Sequence, residues 1–320
     1  MRHQKKRWFA ALLSLCMLLS ILPSTSIAFS ESEETWSGNR RNQTIDGGTH
    51  TITLSNLTID SPGVEKSAID ITGNADVTFI LEGNNTLRGY RNHPAIWVES
   101  GSSVTFEGNG LLEASAGGAS IGLGAAGIGG GYGASSNFGN ITINGGTIIA
   151  RGSGGGAGIG GGYEVGSGTV TGNVTINGGY VTAIGGSSGS TGGAGIGSGE
   201  NANYSGTVTI NGGTFTGTTC SQCNSDIWSY TIRNYSEYSK MTINGGTFTG
   251  VQGAVSASIG YLEVNGGTFK TVACEHHGTA ATFYALYAAG EAGKVLCVIN
   301  DGYFETEGRQ TAVLIGNDNT

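Results

Sequence analysis

The stretch Val174-Thr175-Ile176-Asn177-Gly178-Gly179-Tyr180-Val181-Thr182 decides how this chain folds. Apolar and polar residues alternate up to Ile176, so the segment reads as a strand with Val174 and Ile176 inward and Thr175 outward. Asn177-Gly178-Gly179 then turns the chain, because Gly tolerates positive φ. Val181 points inward again on the next strand. The same order returns at Ile141 to Gly146, Val208 to Gly213, Met241 to Gly246 and Leu262 to Gly267, and in degraded form at Cys297 to Gly302. An Asn-Gly hairpin would reverse the chain. Here the motif comes back with the same polarity, which favours strands stacked in parallel on their own copies.

A second motif, small-small-Ile-x-apolar, is centred on Ile69, Ile96, Ile128, Ile159, Ile196, Ile227, Ile259, Leu286 and Val313, with gaps of 27 to 37 residues. Self-similarity at a fixed period marks a solenoid. The expected fold is all-β, a right-handed parallel β-helix of about nine coils, its hand taken from the general handedness of parallel connections. The expected division is a signal peptide over 1–28, an N-terminal cap and first coil over 29–60, and β-helix repeats with Gly-rich loops over 61–320. Stacking predicts columns. The nine markers form one. Ile148, Val181, Phe215, Phe248, Phe269 and Phe304 form another. Asn144, Asn177, Asn211, Asn244, Asn265 and Asn300 form a corner column sharing side-chain hydrogen bonds. The link from Ile259 to Leu262 is shorter than its counterparts and marks a misfit in register.

Composition narrows the options further. Gly supplies 60 of 320 residues, and 33 of those fall within 117–199, where Arg151 and Glu164 are the only charges. Collagen is excluded, because Gly does not recur every third residue and Pro is nearly absent. A helical bundle is excluded by the cost of helical Gly, about 1 kcal/mol per position. Gly152–Gly156 and Gly185–Gly193 read as flexible excursions. The 15 basic against 23 acidic residues, with no basic stripe, argue against a nucleic-acid partner.

Residues 1–7 carry four positive charges, an apolar run follows from Trp8 to about Leu22, and Ser26-Ile27-Ala28 offers small residues for cleavage. This is the order of a secretory leader, and the run is short for a membrane span. A secreted, extracellular or cell-surface location follows as the expectation, with no membrane span. Cleavage would leave 11 basic against 23 acidic residues, a net charge of −12. That disfavours anionic partners unless a metal ion mediates.

The residue after each marker is expected to face outward: Asp70, Trp97, Gly129, Gly160, Gly197, Trp228, Gly260, Tyr287 and Leu314. Outward aromatic rings beside hydrogen-bonding groups suit sugars, whose C–H faces are apolar and whose edges are polar. Trp97, Trp228 and Tyr287, with Tyr132 and Tyr163 and with Asp70 for hydroxyls, are the candidate carbohydrate contacts. The intervening Gly would leave a smooth strip for a linear polymer. Packing of these rings under loops is the competing reading. Asp70 and Glu99, in an acidic N-terminal region, are candidate calcium ligands. Cys220, Cys223, Cys274 and His276 could make a disulfide or a Cys3His zinc site, or hold free thiols. No catalytic motif is visible, and paired carboxylates are scarce in the central repeats.

Val77-Thr78-Phe79-Ile80-Leu81-Glu82-Gly83-Asn84-Asn85-Thr86-Leu87, Ala126-Gly127-Ile128-Gly129-Gly130-Gly131 and the Thr-Ile-Asn-Gly-Gly-Thr copies together give the chain a likeness. Over roughly 45–270 it resembles the carbohydrate-binding β-helix domains of secreted Firmicute-type bacterial proteins. The resemblance implies a non-catalytic protein that binds plant cell-wall or acidic polysaccharides, sometimes with calcium. The segment 271–296 departs from the pattern. A β-helix polysaccharide lyase or hydrolase, and a structural cell-surface repeat protein without a small ligand, are the alternatives.

Overall fold

The computed structural model describes residues 33–61, 66–118, 123–133, 136–164, 168–186, 192–216, 232–250, 253–272, 284–289, 295–307 and 311–316. They fall within one compact unit, Ser32–Thr320. The expected signal peptide lies outside the described residues. No helix among them is long and apolar enough to cross a membrane.

The chain is all-β. Among the described residues there are 28 strands, 26 of them in one sheet, and every recorded pairing is parallel. Three ladders run through that sheet, each joining a strand to its copy one repeat later. The first begins at Gln43–Asp46 and continues through Ile69–Thr72, Ile96–Val98, Ile128–Gly129, Ile159–Gly160 and Ile196–Gly197. The second runs from Thr49–Asp60 through Asp76–Glu82, Ser103–Gly108, Asn140–Ile143, Asn173–Ile176 and Thr207–Ile210. The third takes the end of Thr49–Asp60, then Asn84–Arg88, Leu111–Ser115, Thr147–Arg151, Tyr180–Ile184, Thr214–Thr216, Thr247–Gly250, Thr268–Thr271 and Tyr303–Thr306. Inward and outward residues alternate as the pleat demands. Val174 and Ile176 are buried while Thr175 between them is half-buried.

Two expected columns are present. Phe215, Phe248, Phe269 and Phe304 stack face to face with centroids 4.6, 4.8 and 4.8 Å apart. The Asn column is a continuous amide ladder: each Asn from Asn177 to Asn300 donates Nδ2–H to the Oδ1 of the preceding Asn, at 2.6 to 2.8 Å. At its start Asn144 donates to the Glu107 carboxylate at 3.1 Å, so the ladder ends on a full negative charge.

The marker column needs correction after Ile196. Gly197 lies opposite Arg233, which sets Ile232 beside Ile196, while Ile227 lies outside the described residues. The column continues through Val255, Leu286 and Val313, and Ile259 is not in it. The cause is local. Gly253–Val264 is one 12-residue strand that passes from the first ladder into the second without a connection. Ala254-Val255-Ser256 therefore holds the marker place, and Ser258-Ile259-Gly260 only imitates the motif.

The outward glycine strip also needs correction. Gly129, Gly160 and Gly197 are buried, with φ of 128°, 132° and 124°. The chain folds back around each marker Ile in a narrow pinch: Ala126 N–H donates to Gly130 O, Ala157 to Gly161 and Ala194 to Ser198, at 2.9 to 3.0 Å. A Cβ on Gly129 would stand 2.1 Å from Gly160 O, and one on Gly160 would stand 2.0 Å from Gly197 O. Gly is required here because backbone packs on backbone, not to present a smooth surface. Gly152–Gly156 is likewise packed, since a Cβ on Gly156 would stand 2.1 Å from Ala125 O. The connections from the first to the second ladder carry their own apolar cluster, where Phe138 and Tyr204 stack at 6.0 Å. At the N-terminal side, Glu33–Asn39 pairs with Thr49–Asp60 and buries Trp36 against Phe79, 6.3 Å between centroids. In the last repeat Cys297, Ile299, Phe304 and Val313 are only partly buried.

Candidate functional site

The corrected register rearranges the expected carbohydrate contacts. In the first ladder the register positions after the markers read Thr44, Asp70, Trp97, Gly129, Gly160, Gly197, Arg233, and later Ser256, Tyr287 and Leu314, of which Gly129, Gly160, Gly197 and Ser256 are buried. Arg233 holds the place expected for Trp228, which lies outside the described residues. Tyr287 keeps its place, half-buried, with its ring 5.4 Å from that of Tyr284. The aromatics therefore do not line one continuous strip.

Two separate clusters form instead. The first is built on adjacent strands. Trp97 is half-buried between Asp70 on one side and Gly129, which puts no side chain against the indole, on the other. Its Nε1 is buried and has no hydrogen-bond partner among the described residues. Burial raises the Asp70 carboxyl above its ordinary value of 3.8, opposed by the nearby Ser67 hydroxyl and by Lys66 and His93. Lys66 and His93 arrive on stacked connections: Tyr90 N–H donates to Lys66 O, and His93 N–H to Tyr90 O. The cluster thus joins an aromatic ring, a carboxyl that holds its proton more tightly than usual, a lysine and a histidine.

The second cluster lies on the Gly-rich repeats. Tyr132 and Tyr163, at the ends of the two Gly-Ile-Gly-Gly-Gly-Tyr copies, stack with centroids 6.0 Å apart and planes 20° apart. Asn201 donates to the Tyr163 hydroxyl at 3.0 Å, and the Ser136 hydroxyl donates to the Glu164 carboxylate. A Cβ on Gly155 would lie 2.6 Å from both Glu200 Oε2 and the Tyr163 ring, so carboxylate and ring converge over that glycine. Half-exposed rings here sit beside amide and carboxylate groups.

Two exposed aromatics escaped the sequence reading. Tyr180 and Tyr303 are 65% and 61% exposed. Both take the place, after Asn-Gly-Gly or its degraded copy, that Thr147, Thr214, Thr247 and Thr268 hold in other repeats. Aligning the repeats at that position would have found them.

The expected metal sites gain little. Glu99 accepts the Gly73 N–H at 2.9 Å, and Asp70 already faces Lys66 and His93. Among the described residues no three His, Cys, Asp or Glu side chains gather closely enough to hold a metal ion. Backbone carbonyls can complete a calcium shell around one or two carboxylates. Cys220, Cys223, Cys274 and His276 lie outside the described residues. Cys297, opposite Leu262, is half-buried and free, and burial pushes its thiol up.

No family model matches the chain, and neither a curated protein nor a solved structure matches it.

Proposed function

We propose that this is a secreted, non-catalytic polysaccharide-binding or adhesive protein built on a right-handed parallel β-helix. The β-helix reading is supported by three parallel ladders that each advance one repeat at a time, with burial alternating along second-ladder strands such as Asn140–Ile143 and Asn173–Ile176. The binding reading rests on the placement of the half-buried Trp97 ring beside Asp70, with Gly129, which has no side chain, at the next register position. A pyranose ring laid on the indole would have its hydroxyls within reach of the Asp70 carboxyl. The stacked Tyr132 and Tyr163, with Asn201 and Glu200 beside them, offer a second contact of the same kind. Calcium assistance belongs to the same proposal, although Lys66 and His93 beside Asp70 favour direct contact over contact through a cation.

Affinity electrophoresis on a panel of neutral and acidic polysaccharides tests this reading, with and without EDTA. Retardation of the wild type by at least one polysaccharide is expected. Trp97→Ala should weaken that binding by about tenfold, and Tyr163→Ala by less. Wild-type mobility unchanged on every gel would overturn the proposal. Release of new reducing ends from the same panel would favour a lyase or hydrolase instead.

A further inference from the structure

The ladders sort the charges of this protein by connection. Between the first and second ladders, the early repeats carry Asp46, Asp76 and Glu99 and no Lys or Arg. Between the second and third they carry Glu82 and Glu107, again with no Lys or Arg. From the end of the third ladder to the start of the first, the segments 40–42, 60–68, 88–95, 115–127 and 151–158 carry Arg40, Arg41, Lys66, Arg88, Arg91 and Arg151 against Asp60 and Glu65. Among the described residues of these early connections six Lys and Arg stand against one acid, Asp60, in a chain of strongly negative net charge.

The segments stack on one another. Asp60 lies opposite Arg88, Arg88 opposite Ser115, and Ser115 opposite Arg151. Arg40 N–H donates to Thr58 O, Gly89 N–H to Ser115 O, and Ala116 N–H to Arg151 O. Arg88 and Arg151 thus stand two repeats apart, about 10 Å at the usual strand spacing. The Arg91 guanidinium rests over the Tyr90 ring at 5.6 Å. Arg41, Lys66, Arg88, Arg91 and Arg151 are exposed, and none makes an ion pair with a described acid; Arg40 alone pairs, with Glu34 at 3.7 Å.

We propose that this basic edge docks a linear poly(polyol phosphate) chain, held by direct Arg–phosphate contacts. Arg outnumbers Lys five to one on the edge, whereas the remaining cations after residue 28 are Arg233, Lys240, Lys270, Lys294 and Arg309. The guanidinium fork pairs with two oxygens of an oxyanion, which a Lys ammonium cannot do. The connections differ in length, so the edge is uneven along its course. A slender, flexible chain with short linkers between phosphates can follow it. A stiff pyranose polymer needs a flat bed. The negative net charge acts at long range and is screened beyond about 8 Å at physiological salt, while the edge acts at contact.

The test is binding of poly(glycerol phosphate), beside polygalacturonate of matched charge and a neutral glucan, at low salt and at about 0.15 M salt. Poly(glycerol phosphate) should bind most tightly, weaken with salt and ignore EDTA. The exposed double variant Arg88→Gln/Arg151→Gln should lose about tenfold with its unfolding midpoint unchanged. Lys270→Gln, whose ammonium pairs with Glu305 and Glu307 elsewhere, should bind as wild type. Trp97→Ala should also bind as wild type, which separates this edge from the sugar contact. Absence of binding, polygalacturonate binding as tightly, or equal losses in the Lys270 variant would each overturn the proposal.

Discussion

Asp70 shows how a single residue acquires its character from stacking. In the linear chain it is one of several acids near the N-terminal end. In the fold it is desolvated beside Trp97, and its carboxyl is raised in spite of Ser67, Lys66 and His93. A carboxyl raised in the folded state binds protons there that the unfolded chain has already lost, so stability falls as pH rises from about 3.8 through the folded value. Asp70→Asn should therefore stabilise the protein at neutral pH, with the gain vanishing at pH below 3.8. Denaturation midpoints across pH check this; a gain that persists in acid would contradict it. Gly160 gives the opposite lesson. At φ of 132° with Gly197 O only 2.0 Å from where a Cβ would stand, Gly160→Ala should cost at least about 3 kcal/mol. Gly38, also at positive φ but with nothing within 4 Å, is the comparison: Gly38→Ala should cost about 1 kcal/mol. Urea titration of both variants would show whether close approach or conformation alone sets the requirement.

At the scale of the element, the Asn ladder is the clearest case of a sequence pattern becoming an energetic unit. Asn211 donates to Asn177 at 2.7 Å and accepts from Asn244 at 2.8 Å. Removing it opens the ladder at two joints. Each exposed amide pair contributes at the low end of the usual 0.5–1.5 kcal/mol, so Asn211→Ala should destabilise by about 1–2 kcal/mol. Asn300→Ala, at the last rung, breaks one joint and should cost about half as much. Equal losses at both positions would argue that the turn conformation, and not the amide chain, carries the effect. This ladder and the Phe stack were legible in the sequence because one motif of fixed length spans both strands and the turn between them. The Ile227 and Ile259 assignments failed for the complementary reason. A five-residue motif of small residues and Ile can recur by chance, and Gly253–Val264, like Ile232–Ile243 before it, runs straight where the earlier repeats turn.

At the scale of the whole molecule, period and inward–outward alternation were enough to predict an all-β chain of parallel, in-register repeats. Both depend on residues close together in sequence, so local pattern carries them. The candidate sites were legible only in part. Trp97, Asp70, Tyr132 and Tyr163 could be picked as polar-edged aromatics and a carboxyl. Which of them meet, and which glycines are covered, depends on what the next repeat places against them. The basic edge is the plainest example. Arg41, Arg88 and Arg151 are separated by dozens of residues and diluted in an acidic chain, and they share an edge because residues one repeat apart lie one strand spacing apart. Periodic side-chain chemistry thus specifies the strands and their stacking, whereas the partners across that stacking, and so every candidate surface, follow from the register and the lengths of the connections.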